Sequence, residues 1–515
     1  MALLMELWTN LYHACYEHRA PNGALRKKTF GASTLPDELT TKSATELAFL
    51  IQSRAVSPIE VIDEHLLRIE QLNPALNAIV TLNSQSLDQA RAAEAELMSG
   101  KQVGLLHGVP LTIKDTIDVA GLRTTSGSRL RANCIPDSDA TVVARLKAAG
   151  ALILGKTNTP EMAIPYETNN PIFGRTNNPH DLHRTAGGSS GGEAAAIAAS
   201  FSPAGIGSDL SGSIRVPAHF CGIVGLKPTT GRVPMDGHTP PATGLLSLGA
   251  CVGPMARKVA DLDLLFKVIA DSTSSGVDDL ERSLEDRMAG LRGVRVAWYG
   301  DDGTTPVTNE TRAAVANAAK ALNDAGLVVE EGLPPGISHG SALWIELFAR
   351  AATGQLRESY RGREDEAGPQ VSHLLSNFEA EADFQSKIAA AERVAAAVLE
   401  RERLREELLR WMKATPLILA PVGATHAFEH GAQRVAIDLQ SISVFRAFGY
   451  SQTFNVFGFP GVVVPAGRSL EGMPIGVQIV GGPFEEQIVL AAAAAIEEAL
   501  GGWQEPLMGA TFRSS

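Results

Sequence analysis

The chain has 515 residues, 44% of them apolar and 20% charged, with a formal net charge of −12. That is the balance of a globular protein with a large core, and length alone suggests two or three domains. The acidity argues against a nucleic-acid partner, which would require a basic face.

Residues 1–40 read as an N-terminal arm or linker. The segment 1–8 is apolar, but Glu6 interrupts it and no basic stretch precedes it. It is also far shorter than the about 20 residues of a membrane span. A short docking helix over 3–19 fits this composition, and 21–40, with its prolines, glycines and Arg26-Lys27-Lys28, reads as a linker. A cytoplasmic location is the expectation.

Beyond Thr41 helices and strands alternate. Helices are predicted over 45–54 and 58–71, the second opened by Ser57 as cap and Pro58 at its first position. Leu111, Ile113, Ile117 and Val119 alternate with smaller or polar residues, the pattern of a buried strand, and Lys114 falls inside it. Burying an ammonium is costly unless it is paired or loses its proton. Two readings follow: a lysine whose stem packs inside while its head pairs with Asp115, or a general base whose pKa is lowered by desolvation.

A helix over 139–149 precedes a strand over 151–155. The segment 180–186 is a poor strand. Further strands are predicted at 294–299, 327–331, 417–420, 462–465 and 475–480, with helices at 309–325 and 485–500. Such alternation predicts an α/β fold with a sheet covered by helices on both faces.

The interval 339–412 is rich in Glu, Arg and Ala with helical period, and 388–411 reads as a solvated amphipathic helix with i, i+4 charge pairs. Trp344, Phe348 and Tyr360 within it are either pocket or core residues. The four cysteines, Cys15, Cys134, Cys221 and Cys251, show no paired spacing, so neither a zinc site nor a disulfide framework is indicated. Cys221 and Cys251 read as buried small hydrophobes. His426 and His430 stand at i, i+4, but Gly423 and Gly431 make a metal-binding helix doubtful. No metal and no cofactor are expected.

The most informative segment is 187–215, where Gly187-Gly188-Ser189-Ser190-Gly191-Gly192 and Asp209-Leu210-Ser211-Gly212-Ser213-Ile214-Arg215 flank a small-residue helical stretch. Glycines around a serine let backbone approach a reacting group, and loop N–H groups can converge on a developing anion. No histidine stands beside either serine, which suits serine chemistry with another base.

Lys114, Ser189 and Ser213, in this order and 75 and 24 residues apart, resemble the Lys–Ser–Ser arrangement of the amidase signature family. The runs 152–162, 220–228, 454–460 and 472–478 carry the same resemblance, which extends from about 41 to 500. It implies the amidase signature fold, a large mixed central sheet covered by helices on both faces, as one large domain over 41–505, with a variable helical region at about 339–412 roofing the acyl pocket. It implies Ser213 as acylated nucleophile, Ser189 as bridging serine behind a cis Gly188–Ser189 peptide, and Lys114 as base. The backbone N–H groups of Leu210, Ser211 and Gly212, with Ser213 as a further candidate, would form the oxyanion hole. Ser211 stands where the family commonly has glycine and fits only if its backbone suits a side chain. Met162, Tyr166 and Gly188 are candidate substrate contacts. Asp209 and Arg215 are expected to brace the loop, and Ser190 to bond nearby backbone.

The function so implied is hydrolysis of a neutral carboxamide, ester or carbamate through an acyl-enzyme. The partner is a small-molecule amide, with no nucleic acid or membrane span and with a homodimer allowed. The alternative within the family is the A subunit of the glutamine-dependent tRNA amidotransferase. That protein commonly has a polar residue after Ile-Arg, where this chain has Val216-Pro217. Gly187-Gly-Ser-Ser-Gly191 also satisfies the G-x-S-x-G of α/β-hydrolases, but their elbow needs a strand immediately before the serine. A non-enzymatic scaffold is at odds with intact Lys114, Ser189 and Ser213.

Overall fold

Strand residues that alternate between two buried clusters decide the architecture. In Leu417–Pro421, Leu417 and Leu419 join one buried apolar cluster, while Ile418 and Ala420 join another. Val462 and Val464 of Gly461–Arg468 divide from Val463 in the same way. Side chains of a strand point alternately to its two faces, so both faces of this sheet are covered. One face packs under Gly191–Ala198, Gly449–Phe457 and Phe384–Met412, and the other under Val259–Ile269, Asn309–Asp324 and Glu486–Leu500.

The computed structural model describes residues 37–164, 166–271, 282–377 and 384–506, which lie in a unit spanning 36–515. Of the arm expected over 1–40, residues 1–36, with the docking helix and Cys15, lie outside the described residues, and Asp37–Thr40 form a short helix. The central sheet has 11 strands in the order 79–82, 152–157, 110–114, 204–209, 251–256, 224–227, 461–468, 474–480, 417–421, 295–298 and 328–331. Pro110–Lys114 runs parallel to both Leu152–Thr157 and Ala204–Asp209, whereas Cys251–Ala256 runs antiparallel to Ala204–Asp209. The sheet covered on both faces that the alternation predicts, and the large mixed sheet that the resemblance implies, are the fold observed.

Several predicted elements are displaced. The strand expected to carry Ile117 and Val119 ends at Lys114, and these two residues make isolated bridges to His238 and Leu122. Lys114 is thus the last residue of its strand, at the carboxyl end where parallel sheets present their sites. The segment read as a poor strand does form one, Asp181–Thr185, but in a small hairpin with Asn177–Asn178 outside the central sheet. Asn178 holds it there by donating to the carbonyls of Thr185 and Phe220. The helix read over 388–411 extends over Phe384–Met412, with the apolar face that an amphipathic helix buries. Leu404, Leu408 and Met412 are buried, and Arg401 and Arg405 donate to the Val456 and Phe457 carbonyls. Arg403 pairs with Glu400 and Glu407 as the charge pattern suggested.

The Glu193 side chain of the helix Gly191–Ala198 reaches so far onto the sheet that a Cβ on Gly205 would sit 1.9 Å from Glu193 Oε1, and 2.5 Å from the Thr112 carbonyl of the paired strand. Gly205→Ala must therefore displace the buried Glu193 carboxylate and strain the pairing with Thr112. We expect a loss of about 1–3 kcal/mol, the range for overpacking, as a lowered midpoint in urea unfolding.

Candidate active site

Lys114 projects from the end of its strand into a fully buried space. Its Nζ lies 2.6 Å from Ser189 Oγ and 3.0 Å from Ser208 Oγ. Desolvation is the largest influence on this amine. Asp209 and Glu193 oppose it, and the pKa falls to about 7. The pairing with Asp115 does not form: Asp115 accepts from the Thr125 N–H and hydroxyl and faces Lys156 at 3.6 Å. Glu193, on the helix just beyond the glycine loop, accepts from Thr112 and from Thr157 at 2.7 Å. Its burial raises its pKa to about 7.

The Gly-rich loop is pinned through its backbone. Thr168 Oγ1 donates to the Gly187 carbonyl at 2.8 Å and Thr159 Oγ1 to the Ser189 carbonyl at 2.9 Å. The Gly188–Ser189 peptide is cis. The Ser190 N–H donates to the Ser213 carbonyl at 3.1 Å, which docks this loop onto the turn bearing Ser213. The Ser190 hydroxyl donates to the Ser208 carbonyl at 3.3 Å, the local backbone role expected of it.

Asp209 organises that turn. Its carboxylate accepts from the Gly212 N–H at 2.7 Å, the Ile214 N–H at 3.1 Å, the Asn455 amide at 2.9 Å and two nitrogens of Arg215 at 3.1 Å. Burial alone would raise its pKa. The Arg215 guanidinium, with Lys227 and Asn455, overrides this and holds the group well below the usual carboxylate range. Arg215 also donates to Gln478 at 2.8 Å and to Asn455 at 2.6 Å. The expected bracing role of Asp209 and Arg215 is the geometry observed.

The Gly212 N–H, expected among the oxyanion donors, is bonded to the Asp209 carboxylate, whereas the N–H groups of Leu210, Ser211 and Ser213 are not engaged by that carboxylate. Gly212 has φ of +100°, and a Cβ there would lie 2.6 Å from Ser451 Cβ. Ser211 is not among the residues with positive φ, so a side chain fits at this position.

Aromatic residues close over the turn. The Tyr166 hydroxyl donates to the Ser211 carbonyl at 2.7 Å and accepts from Gln452 at 3.0 Å. Trp344 Nε1 donates to the Leu210 carbonyl at 2.8 Å. Phe445 packs against both rings, Phe448 against Tyr166 and Phe348 against Trp344. Of the residues left open between pocket and core, Trp344 therefore reaches the turn. Tyr360 lies instead in a small cluster with Met162, Leu356 and Val371, its hydroxyl bonded to Glu161 and Ser128. Gly188 is buried within the glycine loop.

Cys221 and Cys251 are buried free thiols. His426 and His430 turn to the Ala427 carbonyl and to Glu167 respectively. Among the described residues no helix is long and apolar enough to cross a membrane.

Sequence reasoning misses Glu193, Ser208, Asn455 and His238. Glu193 and Ser208 do stand out there as polar residues within small-residue runs. His238 lies in the turn Gly237-His-Thr-Pro240, which carries no signal of its own.

The family model described as Amidase matches residues 60–490. The chain belongs to this family, whose chemistry is the cleavage of amide C–N bonds. The A subunit of glutamyl-tRNA(Gln) amidotransferase from Carboxydothermus hydrogenoformans is 35% identical over 489 residues, covering 90% of this chain and 98% of that protein. Fatty-acid amide hydrolase 2 of Homo sapiens is 32% identical, with 91% of each chain covered. Among solved structures, a bacterial aryl acylamidase of the amidase signature family superposes with a TM-score of 0.79 at 28% identity. That match covers 91% of this chain and 98% of that one.

Replacing Arg215 by leucine would leave Asp209 buried and without its counter-charge. Loss of one partner of such a pair typically costs about 3–5 kcal/mol. We expect a loss on that scale in chemical unfolding at neutral pH. In the native protein the depressed Asp209 pKa contributes stability that is complete above the ordinary carboxylate range and is lost only in strong acid. In the variant, acid should relieve the defect, so its deficit should shrink as pH falls.

Proposed function

We propose that the chain is a serine amidase that hydrolyses a neutral carboxamide through an acyl-enzyme on Ser213, with Lys114 as base acting through Ser189. The observation that carries this reading is the buried Lys114 amine, its pKa lowered to about 7, at 2.6 Å from Ser189 Oγ. A serine hydroxyl is a weak nucleophile until a base removes its proton. When Lys114 is neutral, the Ser189 hydroxyl donates to the amine, and Ser189 Oγ can take the Ser213 proton as Ser213 attacks the carbonyl carbon. The negative charge then forms on the carbonyl oxygen. The N–H groups of Leu210, Ser211 and Ser213 are the donors of this turn that Asp209 leaves unengaged. Protons returning along the same relay leave with the amine, and water repeats the sequence to release the acid.

The acyl pocket is proposed to be apolar and aromatic. Tyr166, Trp344 and Phe445 lie against one another beside the turn. Trp344 belongs to the region 339–412, which supports the role of that region as a roof over a catalytic domain spanning 41–505. Arg215, the cation two residues after Ser213, is already bonded to Asp209, Gln478 and Asn455. A free carboxylate would then be desolvated beside the turn without that partner, at a cost of several kcal/mol. Esters and carbamates of similar shape are further substrates.

The second reading is the A subunit of a tRNA amidotransferase, favoured by relatives of that name at 33–35% identity. Hydrolysis of 4-nitroacetanilide against that of glutamine separates the two. We expect the anilide to have the higher kcat/KM, and faster glutamine turnover would favour the amidotransferase reading.

A fluorophosphonate should label Ser213 and not Ser189, and Ser213→Ala should abolish turnover while keeping the unfolding midpoint. Because the base is competent only when neutral, kcat/KM should rise as pH climbs through about 7. Lys114→Ala should remove both the activity and this limb. A label on Ser189 by mass spectrometry, or a pH profile flat from acid to neutral, would contradict the mechanism.

A further inference from the structure

Lys114 makes a second hydrogen bond that the relay does not use. Its Nζ lies 3.0 Å from Ser208 Oγ, and Ser208 Oγ lies 2.9 Å from His238 Nε2. The other ring nitrogen, Nδ1, lies 2.8 Å from the Pro240 carbonyl oxygen. A carbonyl can only accept, so Nδ1 carries the hydrogen. Burial, reinforced by the charge of Lys114 against the favourable Pro240 bond, pushes the ring pKa down to about 4. The imidazole is therefore neutral near pH 7, and Nε2 is a bare acceptor. The Ser208 hydroxyl must then donate to Nε2, which leaves its oxygen only lone pairs for Lys114. The turn that holds the ring is itself fixed by backbone, with the Thr239 N–H on the Thr116 carbonyl at 2.8 Å and the Asp118 N–H on the Gly237 carbonyl at 2.9 Å.

We propose that His238 is a positioning residue that acts through Ser208 to set the proton order around Lys114, so that the neutral amine turns its lone pair to Ser189. A neutral amine has two hydrogens and one lone pair. With Ser208 able only to accept, one amine hydrogen is directed to Ser208 and the lone pair is left for the Ser189 hydroxyl. Without His238 the Ser208 hydroxyl can rotate and donate to that lone pair, competing with Ser189 for the base. The order is one-way: His238 Nδ1–H to Pro240, Ser208 to His238 Nε2, Lys114 to Ser208, and Ser189 to Lys114. This inference rests on the reading of Lys114 as base.

The second-order rate of a fluorophosphonate on Ser213 reads nucleophile activation without a known substrate. His238→Leu should lower this rate about tenfold, the scale of one well-placed hydrogen bond. His238→Gln, whose amide oxygen can accept from Ser208, should recover most of it. Ser208→Ala should lose a similar factor, and His238→Leu should cost nothing more in the Ser208→Ala background. Should the leucine variant not fold, His238→Asn, too short to reach Ser208, takes its place in the comparison with glutamine. Losses that multiply in the double variant, a glutamine variant as slow as leucine, or a leucine variant at the wild-type rate would overturn the proposal. Lys114→Ala labelled at the wild-type rate would remove the base reading itself. If Lys114→Ala is inert and the His238 and Ser208 losses multiply, only the present inference fails.

Discussion

The buried pair of Asp209 and Arg215 is the interaction on which the site depends. Ala204–Asp209 ends at the carboxylate, and Arg215–Cys221 begins at the guanidinium. The residues between them are the turn that carries Ser213. Because the carboxylate also takes the Gly212 and Ile214 N–H groups, the turn can close only one way. Gln478 and Asn455 extend the network to Pro474–Val480 and Gly449–Phe457. A charge pair taken out of water is tolerable only when its remaining valences are met, and here four elements meet them.

Two charged groups lie at this end of the sheet with opposite outcomes. Asp209 has a guanidinium in bidentate contact and stays ionised. Lys114 is hydrogen-bonded to two serine hydroxyls, and the field of Asp209 and Glu193 only partly offsets its desolvation. Burial acts on both, and the presence or absence of a touching counter-ion decides which group keeps its charge. A permanent anion that shapes a turn and an amine poised near neutrality are thus built from one environment.

The fold is shared with enzymes named for unlike amides, among them a fatty-acid amide hydrolase and an aryl acylamidase. Such breadth follows from the division of the chain. The strands and the Gly-rich loop hold Lys114, Ser189 and the turn of Ser213, while the rings over the turn come from other parts of the chain: Tyr166 from the loop after Leu152–Thr157, Trp344 from Gly340–Trp344, and Phe445 from Val444–Ala447. Function lives in such grafted surroundings more than in the fold.

The sequence by itself determined a sheet covered on both faces and most strand positions, because hydrophobic alternation is a local signal, and it singled out Lys114, Ser189 and Ser213 by a lysine inside an apolar strand and by glycines around serines. Ser57 before Pro58 marked the start of Pro58–Leu76 for the same reason. It misread the strand after Lys114, because the apolar residues Ile117 and Val119 are buried by bridges to His238 and Leu122, not by the ladder. Asp181–Thr185 is a strand because Asn178 holds it, a contact no window of sequence contains. Only the tertiary structure decided that Gly212 gives its N–H to Asp209, that Trp344 reaches Leu210, and that His238 stands behind Ser208 and Lys114. His238 and Lys114 are far apart in the chain. Such partners are chosen by packing, where an unmet buried polar group costs free energy and whichever side chain arrives in register satisfies it.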